Sequence, residues 1–111
     1  MHEVTSNTLG EMVQAIVKTV HPEQIILFGS RGRGEAGPAS DVDLLVVETS
    51  PFTAGHSRLK ELARLERALY PSAVSTDILL FSRKEIEHWR TSLNHVISRA
   101  LREGKVLYER S

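Results

Sequence analysis

Apolar residues near the start of the chain recur three or four positions apart, which is the spacing of one helix face. The pattern TLGE at residues 8–11 has the capping-box form and predicts that this amphipathic helix begins at Thr8. His21 and Pro22 should end the helix, because proline disfavours helical geometry in the residue before it. The apolar face consists of Leu9, Met12, Val13, Ile16, Val17 and Val20.

Short apolar blocks then alternate with a second helical pattern. Residues 25–28 and 42–47 are rich in Ile, Leu and Val and predict two strands, and residues 74–81 predict a third. Residues 48–55 follow neither period and predict a surface loop, after which a helix should begin at about Ser57. The apolar positions of that helix are Leu59, Leu62, Ala63, Leu65, Ala68 and Leu69.

The last part of the chain combines another helix with a short strand. The pattern SRKE at residues 82–85 is a second capping box, Gly104 should end the helix, and residues 105–108 predict an edge strand. The stripe of this helix consists of Ile86, Trp89, Leu93, Val96, Ile97, Ala100 and Leu101. We therefore predict one α/β domain over residues 1–111, with a mixed sheet of three or four strands and helices mainly on one face.

An abrupt turn follows the first predicted strand. Gly29 and Ser30 interrupt the apolar run, and glycine permits a positive φ and a close approach of a ligand to the main chain. Backbone amides there, together with the hydroxyl of Ser30, can donate hydrogen bonds to an anion. The turn therefore indicates a phosphate-binding site.

Two aspartates open the second predicted strand. Asp41 and Asp43 are two positions apart, so their side chains point to one face while Val42 points to the other. Carboxylates that converge repel one another, and the commonest reason to tolerate this is a hard cation such as Mg²⁺, which also keeps positions for substrate phosphate. The pattern predicts a metal site beside the phosphate turn; the ordinary alternative is a pair of aspartates that face solvent.

Composition narrows the function classes. Lys plus Arg and Asp plus Glu both total 14, so no overall basic field favours direct binding of nucleic acid. Cysteine is absent and no apolar run reaches the roughly 18 residues of a membrane span, so we expect a cytoplasmic protein without a membrane segment. No Ser-His-Asp arrangement supports hydrolysis by a triad, and His88 and His95 lack further ligands at zinc spacing.

The glycine turn and the aspartate pair together resemble the signature of a known family. That signature is Gly-Ser-x-Ala-Arg-Gly, a variable loop and Ser-Asp-x-Asp-Leu, and this chain has GSRGRG at residues 29–34 and SDVDL at residues 40–44. The chain resembles the minimal nucleotidyltransferases of the DNA polymerase β-like superfamily, which are about this long. It departs at Gly32, where alanine is usual; we expect glycine to loosen the short helix after the turn without removing a functional group.

The resemblance implies a catalytic carboxylate cluster. Asp41 and Asp43 would bind two Mg²⁺ ions, and the family's third carboxylate, on the next strand, would be Asp77. These three residues would therefore be both the catalytic residues and the metal ligands, provided that the second and third strands are neighbours in the sheet.

The resemblance also implies a nucleotide site, with ATP as the substrate. Gly29 and Ser30 would hold the β- and γ-phosphates, and Ser40 belongs to the same binding motif. Arg33 would neutralise charge on the leaving pyrophosphate, although the choice between Arg31 and Arg33 as the phosphate contact stays open.

Such minimal nucleotidyltransferases usually act as the antitoxin of a type VII-like toxin–antitoxin pair. The resemblance therefore implies transfer of AMP from ATP to a tyrosine of a partner HEPN toxin, which we expect to dock on a site mouth formed by residues 35–39 and 48–55. Two alternatives stay open: an idle antitoxin that neutralises its partner by binding alone, and a small-molecule nucleotidyltransferase of the antibiotic-modifying kind. Self-association into homo-oligomers also stays open.

Overall fold

The strands form from the apolar blocks and the helices from the amphipathic stretches around them. A computed structural model describes residues 5–32, 34, 41–72, 74–92 and 95–110. No helix within these ranges is both long enough and apolar enough to cross a membrane. The helices and strands are α1 Ser6–Val20, β1 Gln24–Phe28, α2 Gly29–Gly32, β2 Val42–Glu48, α3 Arg58–Leu69, a 3-10 helix Tyr70–Ser72, β3 Thr76–Ser82, α4 Arg83–Trp89, α5 Val96–Glu103 and β4 Lys105–Glu109.

The four strands form one mixed sheet in the order β3-β2-β1-β4. Strand β1 is antiparallel to β2 and β4, whereas β2 and β3 are parallel, which confirms the predicted mixed sheet and its last edge strand. The register places Phe28 opposite Asp43, and Asp43 opposite Asp77. The end of β1 and the beginnings of β2 and β3 therefore lie together, and we call this the aspartate end of the sheet.

The side chains of β2 alternate between two apolar clusters, one on each face of the sheet. Val42, Leu44 and Val46 pack in the cluster that includes residues of α1 and α3, whereas Leu45 and Val47 pack in the cluster that includes residues of α4 and α5. The two long helices thus cover one face of the sheet, and the two short helices cover the other. Asp43 lies on the face of the short helices, because it is two residues before Leu45.

The first helix begins earlier than its sequence pattern predicts. Thr5 is the N-cap residue, and its hydroxyl oxygen accepts a hydrogen bond from the amide of Thr8 at 3.1 Å. The predicted start at Thr8 is wrong because Thr5 supplies an equivalent acceptor three residues earlier. The predicted end is confirmed, since His21 adopts the left-handed conformation (φ 48°) immediately before Pro22.

The predicted last helix is divided into two. The capping box of Ser82 and Glu85 is present and starts α4, but α4 ends at Trp89 and α5 begins at Val96. The cap of α5 is His95, whose Nδ1 accepts a hydrogen bond from the amide of Ile97 at 3.1 Å. One continuous helix was therefore the wrong prediction, because the imidazole of His95 starts a new helix. Gly104 ends α5 as predicted.

The loop after β2 lies at the opposite end of the sheet from the aspartates. Strand β2 begins with Val42 at the aspartate end and finishes at Glu48, about 20 Å further along at about 3.3 Å per residue. The segment after this loop also starts at that far end, because Arg58, the first residue of α3, donates a hydrogen bond to the carbonyl of Leu80 at 2.7 Å. The prediction that residues 48–55 help to form the site mouth is therefore wrong. The other predicted rim, residues 35–39, lies outside the described residues.

Candidate active site

All three aspartates of the chain meet at the aspartate end of the sheet. Asp43 and Asp77 are register partners on the parallel strands β2 and β3, and paired residues of neighbouring strands project from the same face. Asp41 precedes β2 by one residue and is exposed, as is Asp77, whereas Asp43 is half-buried. The structure thus brings together the three carboxylates that the sequence nominated.

The electrostatics of Asp43 show how close these carboxylates are. Burial raises the pKa of Asp43, and the charge of Asp77, its side-chain hydrogen bond and the charge of Asp41 raise it further. Each neighbour therefore disfavours the ionised form of Asp43. A divalent cation reverses this, because it interacts favourably with every carboxylate that surrounds it. The donor set, three carboxylates on two adjacent strands, fits Mg²⁺.

The turn between β1 and α2 requires glycine at its first position. Gly29 has φ +68°, and a Cβ atom there would lie 2.2 Å from Oδ2 of Asp43. Only a residue without a side chain permits this backbone conformation and this contact together. Gly29 therefore sets the main chain of the predicted phosphate turn directly against the central carboxylate.

The other predicted nucleotide-binding residues divide into two groups. Ser30 is the second residue of α2, so its backbone belongs to the turn beside Asp43. Arg33 and Ser40 lie outside the described residues, and their assignments stay predictions. Arg31 is the last-turn basic residue of α2 and has interaction partners within the protein.

Gly32 has a packing role that the sequence did not predict. A Cβ atom at this position would lie 2.5 Å from the carbonyl oxygen of Leu27 and 3.6 Å from the Cα atom of Gly104. The usual alanine would therefore require α2 to shift away from β1. In this chain, glycine permits a closer approach of the phosphate turn to the end of β1.

Sequence reasoning missed one basic residue near the turn. Arg99 of α5 lines a cavity of about 150 Å³ that also borders Gly29. Arg99 and Val96 are one helical turn apart on α5. The sequence offers no signal that this helix faces Gly29, because the direction of α5 depends on the break between α4 and α5. The described residues that line the cavity are Phe28, Gly29, Val96, Arg99, Ala100 and Glu103.

Comparison with known proteins gives one family and several similar folds. The family model described as "Nucleotidyltransferase domain" matches residues 9–107. No curated protein matches the chain significantly. Among solved structures, a candidate nucleotidyltransferase from Sulfolobus solfataricus aligns with a TM-score of 0.62 at 20% identity, covering 94% of this chain and 79% of that one.

Two further similar structures are toxin–antitoxin complexes. One contains AMP-PNP and aligns with a TM-score of 0.52 at 19% identity, covering 97% of this chain and 76% of that one. The other is a mutant of the MntA–HpeT pair with two Asp→Glu changes; it aligns with a TM-score of 0.51 at 18% identity and the same coverage. At these identities the three structures show a shared fold.

Proposed function

The chain belongs to the nucleotidyltransferase-domain family, and we propose that it transfers AMP from ATP to a hydroxyl group of a partner toxin, as the antitoxin of a toxin–antitoxin pair. The observation that carries this proposal is the meeting of Asp41, Asp43 and Asp77 beside the glycine turn at Gly29. A phosphate-sized turn next to three carboxylates is an arrangement that suits a metal-bound triphosphate.

Each group at the site has a proposed part in the reaction. Asp41, Asp43 and Asp77 would hold Mg²⁺, two ions by the family resemblance, which when bound neutralise the triphosphate and lower the pKa of the attacking hydroxyl. The backbone of the turn that begins at Gly29 would hold the phosphates in place. Arg99 would add positive charge from α5 on the other side of the cavity.

The acceptor is proposed to be a protein. Two of the similar solved structures are described as toxin–antitoxin, and one of them contains the ATP analogue AMP-PNP. The HEPN toxin and its tyrosine, implied by the family resemblance, form the finer part of this proposal.

An intact-mass measurement tests the proposal. The protein is mixed with MgATP and the protein encoded beside it, and we expect one or more AMP-sized additions on that neighbour, with peptide mapping to a tyrosine. Asp41→Asn and Asp43→Asn should abolish the addition while the fold is retained. Glu11→Gln, which changes an exposed carboxylate on α1, is the matched control and should leave it unchanged.

The alternative functions give different results in the same experiment. Inhibition of the neighbour without a mass change, reversed on separation and preserved in Asp41→Asn, would show an antitoxin that works by contact alone. Addition of AMP to a small hydroxylated compound, with none on the neighbour, would show a small-molecule nucleotidyltransferase. Either outcome would overturn the proposal.

A further inference from the structure

A second group of metal-ligating side chains lies at the far end of β2, away from the aspartates. Glu48 is the last residue of β2, His56 lies in the following loop, and Glu61 is in the first turn of α3. One potential ligand atom from each of the three side chains lies within 4.8 Å of the others. The cluster therefore joins three separate segments of the chain at a single point.

These side chains are unusually buried for charged residues. Glu48 is 5% exposed and Glu61 is 8% exposed, and His56 is half-buried. Carboxylates are rarely buried unless they are paired or bind a metal. Burial, followed by the charge and the hydrogen bonding of Glu61, raises the pKa of Glu48 to about 7, although the charge of Arg64 acts in the opposite direction.

Two atoms of the cluster are buried and have no hydrogen-bond partner among the residues that the structure describes. They are Oε2 of Glu48 and Nε2 of His56, and the latter lies 3.2 Å from the other carboxylate oxygen, Oε1, of Glu48. Ligand atoms at the usual Zn²⁺ distances are about 3.4 Å apart on a tetrahedral ion. The 3.2 Å between Nε2 of His56 and Oε1 of Glu48 is close to that spacing. Oε2 of Glu48, whose side chain is more than nine-tenths buried, is available as a ligand.

The ligand side chains are held in place by neighbouring groups. The ring of His56 stacks on Phe52 with centroids 5.0 Å apart and an interplanar angle of 8°, and its backbone exchanges hydrogen bonds with Thr53 at 3.0 and 3.1 Å. Arg64 donates a hydrogen bond to Oε1 of Glu61 at 2.7 Å and another to the carbonyl of Thr19. Such supporting contacts are typical of metal sites, where they fix the orientation of the ligands.

We propose that Glu48, His56 and Glu61 form a second metal site that takes one Zn²⁺-like divalent ion, with water at the fourth position. The two carboxylates balance the charge of the ion, and imidazole with carboxylate is a ligand set that zinc accepts. The ion would connect the loop after β2 to α3. This inference does not depend on the proposed nucleotidyl transfer.

The site has a route to solvent. A groove of about 440 Å³ borders the cluster, and this volume is large enough to hold a hydrated ion. Its basic residues balance the two carboxylates when no metal is bound. The groove is lined by Lys18, Thr19, Val20, His21, Glu48, Thr49, Ser50, His56, Glu61, Arg64 and Arg110.

A zinc titration of metal-free protein tests this site separately from the aspartates. In an Asp41→Asn/Asp43→Asn background we expect one Zn²⁺ per chain, measured by competition with a chromophoric chelator, and an increase in Tm on binding. In that background, His56→Gln or Glu61→Gln should weaken Zn²⁺ binding substantially. The loss of a group that only supports a ligand costs about 10–100-fold in affinity, and we expect the loss of a ligand itself to cost at least as much. His88→Gln and Glu66→Gln, at exposed positions on α4 and α3, are matched controls and should bind normally.

A measurement without ligand variants covers the case in which they fail to fold. In the same background protein with His56 intact, ¹⁵N spectra of the histidine rings should show a zinc-dependent shift at His56. No zinc binding, binding unaffected by both ligand variants, or a shift confined to other histidines would overturn the proposal. The first result would leave Glu48, His56 and Glu61 with a structural role only.

Discussion

Replacing Gly29 with alanine should separate the stability of the protein from the function of its site. The left-handed conformation at Gly29 (φ +68°) costs an alanine roughly 1–2 kcal/mol. The new Cβ would also lie 2.2 Å from Oδ2 and 3.1 Å from Cγ of Asp43, so the carboxylate must retreat by about 1 Å to reach an ordinary contact distance. Because the nearest atom is the far end of a side chain that can rotate away, this contact should add little to the loss of stability.

Gly34 provides a matched control for this change. It has a similar positive φ, +75°, but a Cβ atom there would meet no atom of the described residues within 4 Å. Gly29→Ala and Gly34→Ala should therefore have free energies of unfolding within about 1 kcal/mol of each other in urea titrations, since both contain the same backbone strain. A displacement of 1 Å at a reacting centre can cost about 100-fold in rate, so turnover should fall by about that factor in Gly29→Ala alone.

Two measurements check the Gly29 reasoning together. Equilibrium unfolding gives the stability of each variant, and labelled AMP transfer with a Mg²⁺ titration gives the state of the site. Equal activity and equal Mg²⁺ affinity in the two alanine variants would show that Asp43 does not need its present position. A much larger loss of stability in Gly29→Ala would show that the contact with Asp43 supports the fold as well as the site.

Three further changes have defined outcomes. Asp77→Asn should lower turnover more than ATP affinity, measured as kcat against nucleotide Kd, because a ligand or base for the attacking hydroxyl acts mainly in the transition state. Gly10→Ala should raise the free energy of unfolding by about 0.5–1 kcal/mol in urea, since Gly10 lies inside α1 with open space around it. Glu23→Gln should lower stability at pH 7 by up to about 1 kcal/mol, because it removes a carboxylate that accepts hydrogen bonds from Arg83 at 2.6 and 2.9 Å. The hydrogen bond from Arg83 is the largest cause that lowers the pKa of Glu23 in the folded protein. The stabilisation by this ion pair is therefore complete above a pH of about 4.3, the unfolded-state pKa, and is lost as the pH falls through the lowered folded-state pKa.

Each of these three predictions has a result that would contradict it. Unchanged turnover in Asp77→Asn would leave this residue a structural role only. A destabilised Gly10→Ala would mean that the α1 backbone at this position is not regular helix. A difference between wild type and Glu23→Gln that stays constant from pH 7 to pH 3 would show that the ion pair with Arg83 does not stabilise the fold.

Local patterns predicted the elements better than they predicted their positions in space. The alternation of Asp41 and Asp43 follows from strand geometry alone, so their shared direction could be read from the sequence. The place of Asp77 could not, because a parallel pairing joins strands that are far apart in the chain and its register depends on the whole sheet. The position of the loop at residues 48–55 failed for the same reason, since it depends on the direction of β2 within that sheet.

The Glu48 cluster shows where single residues give no signal. In the sequence, Glu48 begins a loop, His56 precedes a helix and Glu61 is one of several charges on an amphipathic helix, so each has the features of a surface residue. Their burial arises only when α3 packs back across the sheet next to the end of β2. The break before α5 was equally hidden, because it depends on a histidine acting as a cap.

The stacked pair of Trp89 and His95 gives the protein its own optical probe. Trp89 is the single tryptophan of the chain, and its ring lies 4.3 Å from that of His95, the residue that caps α5. Arg99 lies one turn further along the same helix, at the cavity beside Gly29. If nucleotide binding at the proposed site shifts α5, the surroundings of the indole should change. Intrinsic fluorescence can therefore follow nucleotide loading in real time, without a label and without a known acceptor.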